Sequence, residues 1–213
     1  MIRNRVNRMI DLYAAQTSNG LRAKIMADEC GLEYTLHAID LAKGEHKSAE
    51  YLKVNPAGLI PALIDSDGPG GKPVTINQSM AILIYLADKT GKFLTPAQKA
   101  DPMFWQDLMN VATDMSSALM SVFMIARSPE PHQPSVEMFG KRFHDLLKIW
   151  DKALASRRFC AGDAISITDF AFYPVMLRCK GVVPQYAVNC PNVDRWYDEV
   201  GARPGVKKGV TFG

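Results

Sequence analysis

The chain has 213 residues, 47% hydrophobic and 22% charged, enough apolar content for one good core or two modest domains. Its formal net charge of +3 is too small to mark a nucleic-acid surface; a solvated exterior with a slight lysine excess accounts for it. Four cysteines, Cys30, Cys160, Cys179 and Cys190, show no C-x-x-C pair and no metal-ligand spacing, which excludes a self-sufficient dithiol centre and fits buried free thiols in a reducing, cytoplasmic setting.

The basic start, Met1 to Arg8, lacks the apolar core of a secretory signal. No run approaches the roughly 20 apolar residues of a membrane helix, so no membrane partner is expected. Met9 to Ala14 reads as a first strand. Ala15-Gln16-Thr17-Ser18-Asn19-Gly20 is a turn of small polar residues suited to capping a helix. Leu21, Ile25, Met26 and Cys30 fall on one helical face, and Gly31 stops the helix. Tyr34 to Leu41 reads as a second strand, followed by an irregular or helical link from Ala42 to Lys53.

The stretch Val54-Asn55-Pro56-Ala57-Gly58-Leu59-Ile60-Pro61-Ala62-Leu63-Ile64-Asp65 holds a turn, then a proline opening a short apolar run. The Gly/Pro-rich turn Asp67 to Gly71 and the run Pro73 to Ile76 complete a β-hairpin. Asn77-Gln78-Ser79 then leads into a helix from Met80 to Lys89. Lys92 to Asp101 reads as a linker, punctuated by Pro96 and Pro102. Phe104, Trp105, Leu108, Met109, Ala112, Met115, Leu119 and Phe123 trace the stripe of one long helix. After a proline-rich break from Ser128 to Pro134, Met138, Phe139, Phe143, Leu146, Leu147, Trp150 and Leu154 trace the next. Ser166-Ile167-Thr168-Asp169 is a capping box, in which the serine accepts a backbone N–H and the carboxylate reaches back. It opens a helix predicted over Ile167 to Arg178, and Val193, Trp196, Tyr197 and Val200 mark one more.

The order N-P-A-G-x-I-P-A-L-I-D, hairpin, then Q-S-x-A-I-x-x-Y-L-A resembles the glutathione transferase family over nearly the whole chain. The resemblance implies a thioredoxin-like α/β domain over residues 9–91 and an all-helical bundle over 97–213. It implies a cis peptide before Pro61, with the backbone of Ile60 pairing with the cysteinyl unit of glutathione. Gln78 and Ser79 would hold the γ-glutamyl end. The capping box would open a buried central helix, and Arg203-Pro204-Gly205-Val206 resembles the family's C-terminal turn. Thr17-Ser18-Asn19-Gly20 is similar to the nu-class and nitrogen-regulator-like branch, which places Asn19 and Thr17 near the ligand sulfur, His46 at its glycyl end, and Arg142 of the helical domain on the ligand. The register of Ser18 also resembles theta-class enzymes, so Ser18 stands third among the candidate thiolate donors. Their bland alternative is helix capping. Tyr13 falls inside the first strand and reads as structural.

The chemistry such a site must supply is modest. A free thiol near pKa 8.5 is about 3% ionised at pH 7, and lowering it by roughly two units makes about three quarters thiolate. That needs about 2.7 kcal/mol, within reach of one or two hydrogen bonds and a helix N-terminus. The resemblance implies a cytoplasmic homodimer that reduces disulfides or peroxides, or conjugates small electrophiles, with glutathione or its disulfide as partner and no metal. A non-catalytic binding or regulatory protein of the same fold is the competing reading. The neutral Gln78, where the family usually has a glutamate, weakens the expected grip on the ligand's ammonium. Met109, Met115, Met120 and Met124 read either as core or as an adaptable pocket lining.

Overall fold

The computed structural model describes residues 10–212. The basic segment Met1 to Arg8 and the expected strand start at Met9 lie outside the described residues. By its internal contacts the chain divides into two units, residues 10–90 together with 204–212, and residues 91–203.

The first unit is built on a four-stranded sheet in the order β2-β1-β3-β4. Strand β1 spans Ile10–Ala14, helix α1 Ser18–Cys30 and strand β2 Thr35–Ala38. A single 3-10 turn at Glu45–Lys47 and helix α2, Ala49–Val54, fill the link. The hairpin follows as β3, Ala62–Asp65, and β4, Val74–Asn77, and helix α3 spans Ser79–Thr90. Strand β1 pairs parallel with β2 and antiparallel with β3, which pairs antiparallel with β4.

Alternation in β1 sends Ile10, Leu12 and Ala14 inward. They meet a core of Leu21, Ile25 and Met26 from α1, Leu63 from β3, and Ile82, Leu83 and Leu86 from α3. Between the inward residues, Tyr13 stacks on His37 at 4.3 Å and meets Tyr51 edge-on. Strand β2 is shorter than the Tyr34 to Leu41 predicted, because pairing with β1 ends at Ala38 opposite Ala14.

The segment 204–212, grouped by sequence with the helical domain, packs on α1 as helix α10, Pro204–Gly209. An added Cβ on Gly209 would lie 2.6 Å from the Ile25 Cα, so the glycine permits this close approach. Val206 N–H donates to Glu29 at 3.1 Å, and Lys24 donates to the Lys208 carbonyl at 2.9 Å.

The second unit is helical. Helix α4, Pro96–Ala100, lies inside the predicted linker; a Thr95/Gln98 capping box forms it. Helices α5, Pro102–Met109, and α6, Ser116–Ala126, join through a π-helical stretch at Asn110–Met115 into one continuous helix. By length and composition alone this 25-residue helix is long and apolar enough to cross a bilayer, contrary to the expectation that no run is. Its stripe of Phe104, Leu108, Val111, Met115, Leu119 and Val122 is buried within the unit. Met109, Met120 and Met124 are exposed, so the core reading holds for Met115 alone of these four.

Helix α7, Gln133–Leu154, buries Val136, Phe143, Leu147, Trp150 and Leu154. Met138, predicted on that stripe, is exposed. Helix α8 runs Ile167–Val182, one turn past the predicted end, and is buried on all sides through its first ten residues. Phe172 lies between Trp150 and Trp196, at 5.1 and 4.8 Å. The capping box closes at its start: Ser166 N–H donates to Asp169 at 2.8 Å, and Thr168 N–H to Ser166 Oγ at 3.3 Å. Helix α9 spans Pro191–Gly201.

Candidate active site

Strand directions bring the candidate residues of the first unit to one end of its sheet. Strand β1 runs toward Ala14 and exits into the turn bearing Thr17, Ser18 and Asn19. The antiparallel register, Tyr13 opposite Ala62 and Ala62 opposite Asn77, sets the entry of β3 and the exit of β4 beside that turn. The Ile60–Pro61 peptide, which is cis, leads into β3, and Gln78-Ser79 leaves β4. Strand β2, parallel to β1, delivers the His46 turn to the same end, where Ile39 N–H donates to the Ala14 carbonyl at 2.9 Å.

The N-P-A-G motif shapes the approach to β3. Asn55, buried, accepts from Ala57 N–H at 3.1 Å and donates to the Leu59 carbonyl at 2.6 Å. Tyr51 Oη donates to the same carbonyl at 2.7 Å. Leu59 is thereby fixed from behind, and ladder pairing starts only at Ala62. Ile60 thus stands outside the sheet ladder, at a bend just before β3.

Thr17 is the N-cap of α1, and its Oγ1 accepts from Gly20 N–H at 3.2 Å while its hydroxyl proton remains a donor. Ser18 opens the first turn of α1. Asn19 Oδ1 accepts from Arg22 Nη1 at 2.5 Å and, at a long 3.4 Å, from Ser79 Oγ. Ser79 is buried and is the first residue of α3, which starts one residue before the predicted Met80. Gln78 holds the cap position at φ 75°, its carbonyl accepting from Ile82 N–H at 3.0 Å.

His46 Nδ1 and Asn77 Oδ1 are buried with no hydrogen-bond partner among the described residues. Arg142 belongs to the helical unit, on α7, where it pairs with Asp114 at 3.4 Å. The four cysteines are all buried, and none is in a disulfide. Burial pushes the Cys160 thiol well up and the Cys179 thiol up to about 12, the reverse of an activated nucleophile. Among the described residues, no group of three or more His, Cys, Asp or Glu is placed to hold a metal ion.

Arg22 was missed by sequence reasoning. It is 2% exposed and bridges Asn19 to Ser79, whose Oγ lies 3.5 Å from Nη1. The available signal was its position three residues after Asn19, on a helix whose neighbouring residues Leu21, Ala23, Ile25 and Met26 are all apolar.

The family descriptions "Glutathione S-transferase, N-terminal domain" and "Glutathione S-transferase, C-terminal domain" match residues 18–89 and 113–208. The disulfide-bond oxidoreductase YfcG of Escherichia coli K12 is 30% identical over 201 residues, covering 92% of each chain. The chain belongs to the glutathione transferase family. A second disulfide-bond oxidoreductase of the same organism, YghU, is 32% identical, covering 94% of this chain and 73% of its own. Among solved structures, a glutathione transferase family member from Pseudomonas fluorescens with two glutathione bound superposes with a TM-score of 0.90 at 30% identity, over 97% of this chain and 94% of that one. A Pseudomonas putida transferase with one glutathione disulfide bound per subunit gives 0.86 at 26% identity, over 98% and 93%. This transferase therefore has the glutathione transferase fold, a mixed four-stranded sheet with helices followed by a helical unit.

Proposed function

We propose that this transferase is a glutathione-dependent disulfide-bond reductase, with peroxide reduction and electrophile conjugation as neighbouring activities of one thiolate site. The observation that carries the reading is the meeting of Thr17, Asn19, Ser79 and the Ile60–Pro61 peptide at one sheet end, in a chain 30% identical to a disulfide-bond oxidoreductase over 92% of both lengths. A short peptide with amide and carboxyl groups suits this end, where the chain at Ile60 stands outside the sheet ladder.

In this reading glutathione lies along Ile60 and Pro61, its γ-glutamyl end at Gln78 and Ser79 and its glycyl end at His46. Asn19 or Thr17 donates to the sulfur and stabilises the thiolate, with Ser18 as the third candidate. Arg142 is assigned to the ligand by resemblance alone. The thiolate attacks one sulfur of a substrate disulfide, forming a mixed disulfide as the other sulfur leaves as thiolate and takes a proton. A second glutathione thiolate attacks the glutathione sulfur of the mixed disulfide, giving glutathione disulfide and a second substrate thiol. Two glutathione molecules bound in the Pseudomonas fluorescens relative support this stoichiometry.

The test is glutathione-dependent reduction of a small model disulfide by wild type, Asn19→Ala and Thr17→Ala. Asn19→Ala is expected to lose at least tenfold with glutathione binding retained, since one lost thiolate hydrogen bond of about 1.4 kcal/mol corresponds to that factor. Loss in Thr17→Ala alone would make the threonine the donor. No turnover by a wild type that binds glutathione calorimetrically would make the chain a non-catalytic binding protein instead.

A homodimer is part of the proposal. Met103, Met109, Met120 and Met124 on the long helix and Met138 and Ile149 on α7 are exposed. Residues of these helices line a groove of about 520 Å³ that includes Met103, Met109, Leu146 and Ile149. A second copy is the occupant we assign, in line with relatives described per protein subunit. Light scattering that gives a monomer at micromolar concentration would reject it. A cytoplasmic location is proposed on four buried cysteines that form no disulfide.

A further inference from the structure

We propose that Arg22 is a positioning residue of the thiolate site, holding the Asn19 carboxamide by its oxygen so that its N–H bonds are turned toward the ligand sulfur. The inference rests on the glutathione-thiolate reading above and gives Asn19 its orientation.

The argument begins with donor inventory. A guanidinium has only donors, so the amide atom facing Arg22 Nη1 at 2.5 Å must be the oxygen. The Ser79 hydroxyl directs its proton to that same oxygen at 3.4 Å, while its own oxygen faces Nη1 at 3.5 Å. Two donors converge on Oδ1. Rotating the amide by half a turn would set N–H against N–H and O–H, a loss of hydrogen bonds in a buried setting. The carboxamide is therefore locked, and its two donors lie on the side away from Arg22.

Burial adds to the effect. Arg22 is 2% exposed, and in such surroundings a fixed charge acts more strongly on its neighbours than in water. Burial pushes its guanidinium down to about 10, so it still carries its charge at neutral pH. A cation on the amide oxygen draws electron density from the nitrogen and makes its N–H bonds better donors. Because Ser79 stands at the start of α3 and Asn19 at the start of α1, the same guanidinium ties the thiolate end of the site to the γ-glutamyl end.

The experiment measures the thiol pKa of bound glutathione, from the pH dependence of thiolate ultraviolet absorbance in the binary complex, for wild type, Arg22→Met, Arg22→Lys, Asn19→Ala and Asn19→Ala/Arg22→Met. Arg22→Met is expected to raise that pKa by about one unit and to lower kcat/KM about tenfold at neutral pH. Its rate should return toward wild type above the free-thiol pKa, where thiolate forms unaided; a merely damaged fold would not recover. Arg22→Lys, which keeps a cationic donor, should hold the shift to half a unit or less. The double variant should be no worse than Asn19→Ala, since the arginine acts through the asparagine. If Arg22→Met does not fold, Arg22→Gln, which keeps a donor but no charge, takes its place: a raised thiol pKa supports the role and an unshifted one overturns it. An unshifted thiol pKa in Arg22→Met, or additive losses in the double variant, would overturn the role of Arg22 while leaving the thiolate site standing. A wild-type complex whose thiol pKa is not depressed would overturn both.

Discussion

A methyl group added to Gly20 would lie 2.1 Å from the carbonyl oxygen of Ala15, far inside van der Waals contact. The turn between β1 and α1 is folded back on itself: Thr17 N–H donates to the Ala15 carbonyl at 2.7 Å, and Gly20 N–H caps onto Thr17 Oγ1. Gly20→Ala must displace backbone, not a flexible side chain. The expected loss is about 2 kcal/mol or more, in the range of overpacking, read as a lower urea midpoint at unchanged slope. Because the displaced backbone carries Thr17 and Asn19, glutathione affinity should fall with it. Gly31→Ala is the control. Gly31 stands at φ 71° with nothing near its missing Cβ, so its cost of about 1 kcal/mol should leave glutathione affinity unchanged.

Asp169 accepts four hydrogen bonds at full burial, from Cys160 N–H, Trp196 Nε1–H, and the Ser166 N–H and hydroxyl. Burial pushes its carboxyl pKa up, and these donors pull it back only in part. Asp169→Ala strands three buried N–H groups and a hydroxyl, so a loss of about 3 kcal/mol or more is expected. Asp169→Asn keeps one acceptor oxygen but turns an NH2 toward donors, and should fall between Ala and wild type. Urea midpoints of the three proteins check the order; equal midpoints for Asn and wild type would remove the charge from the account.

What the sequence disclosed was what neighbouring residues decide together. The Asn55-to-Gly58 turn, the proline before β3, the Thr17-to-Gly20 cap and the Ser166/Asp169 box each involve atoms within a few residues, so a local pattern is enough. Arg22 was hidden because arginine is surface-seeking by default, and its burial depends on Ser79, 57 residues later. Helix α10 was hidden for a similar reason. Arg203 to Val206 resembles a C-terminal turn, and only the approach of Gly205 to Glu29 and of Gly209 to Ile25 makes the helix part of the first unit. On the long helix, apolar spacing showed a stripe but did not distinguish Met115, which is buried, from Met109, Met120 and Met124, which are exposed. The π-helical stretch at Asn110–Met115 also lies between Met109 and Met120 and shifts the face that a regular period predicts.

Asp65 fastens α3 to the sheet. Its Oδ2 lies 2.8 Å from Lys89 Nζ and accepts from Tyr85 Oη at 2.6 Å, while Oδ1 accepts from Asp67 N–H at 2.8 Å. Burial alone would raise its pKa, but the Lys89, Tyr85 and Asp67 contacts outweigh it and hold the carboxyl below the ordinary aspartate value. For an acid with a depressed folded pKa, the stabilisation is fully present above the unfolded value, about 3.9, and is lost as pH falls through the folded pKa. Asp65→Asn should therefore be less stable than wild type at pH 7, by about 2 kcal/mol. The difference should begin to shrink as pH falls below about 4, where the unfolded chain takes up the proton, and be lost only once pH has passed below the depressed folded-state pKa. Denaturant titrations from pH 7 to pH 2 test this, and a difference independent of pH would show that packing, not charge, is what Asp65 supplies.

Gln78 combines strain with a missing charge. It stands at φ 75°, a left-handed conformation that a non-glycine residue adopts at a cost of about 1 kcal/mol or more, at the cap of the helix that begins with Ser79. Gln78→Gly should relieve that cost and raise the urea midpoint while weakening glutathione binding, since the side-chain oxygen proposed to meet the ligand's ammonium is gone. Gln78→Glu should do the opposite to the ligand. A carboxylate there adds a charge-assisted hydrogen bond of about 1 kcal/mol over the neutral one, tightening glutathione about fivefold at low salt and less at high salt. The same charge at the start of α3 favours the helix by a few tenths of a kcal/mol, about 0.3 or more, so stability alone does not discriminate. Calorimetric titration does. Unchanged glutathione affinity in both variants would remove Gln78 from the γ-glutamyl site.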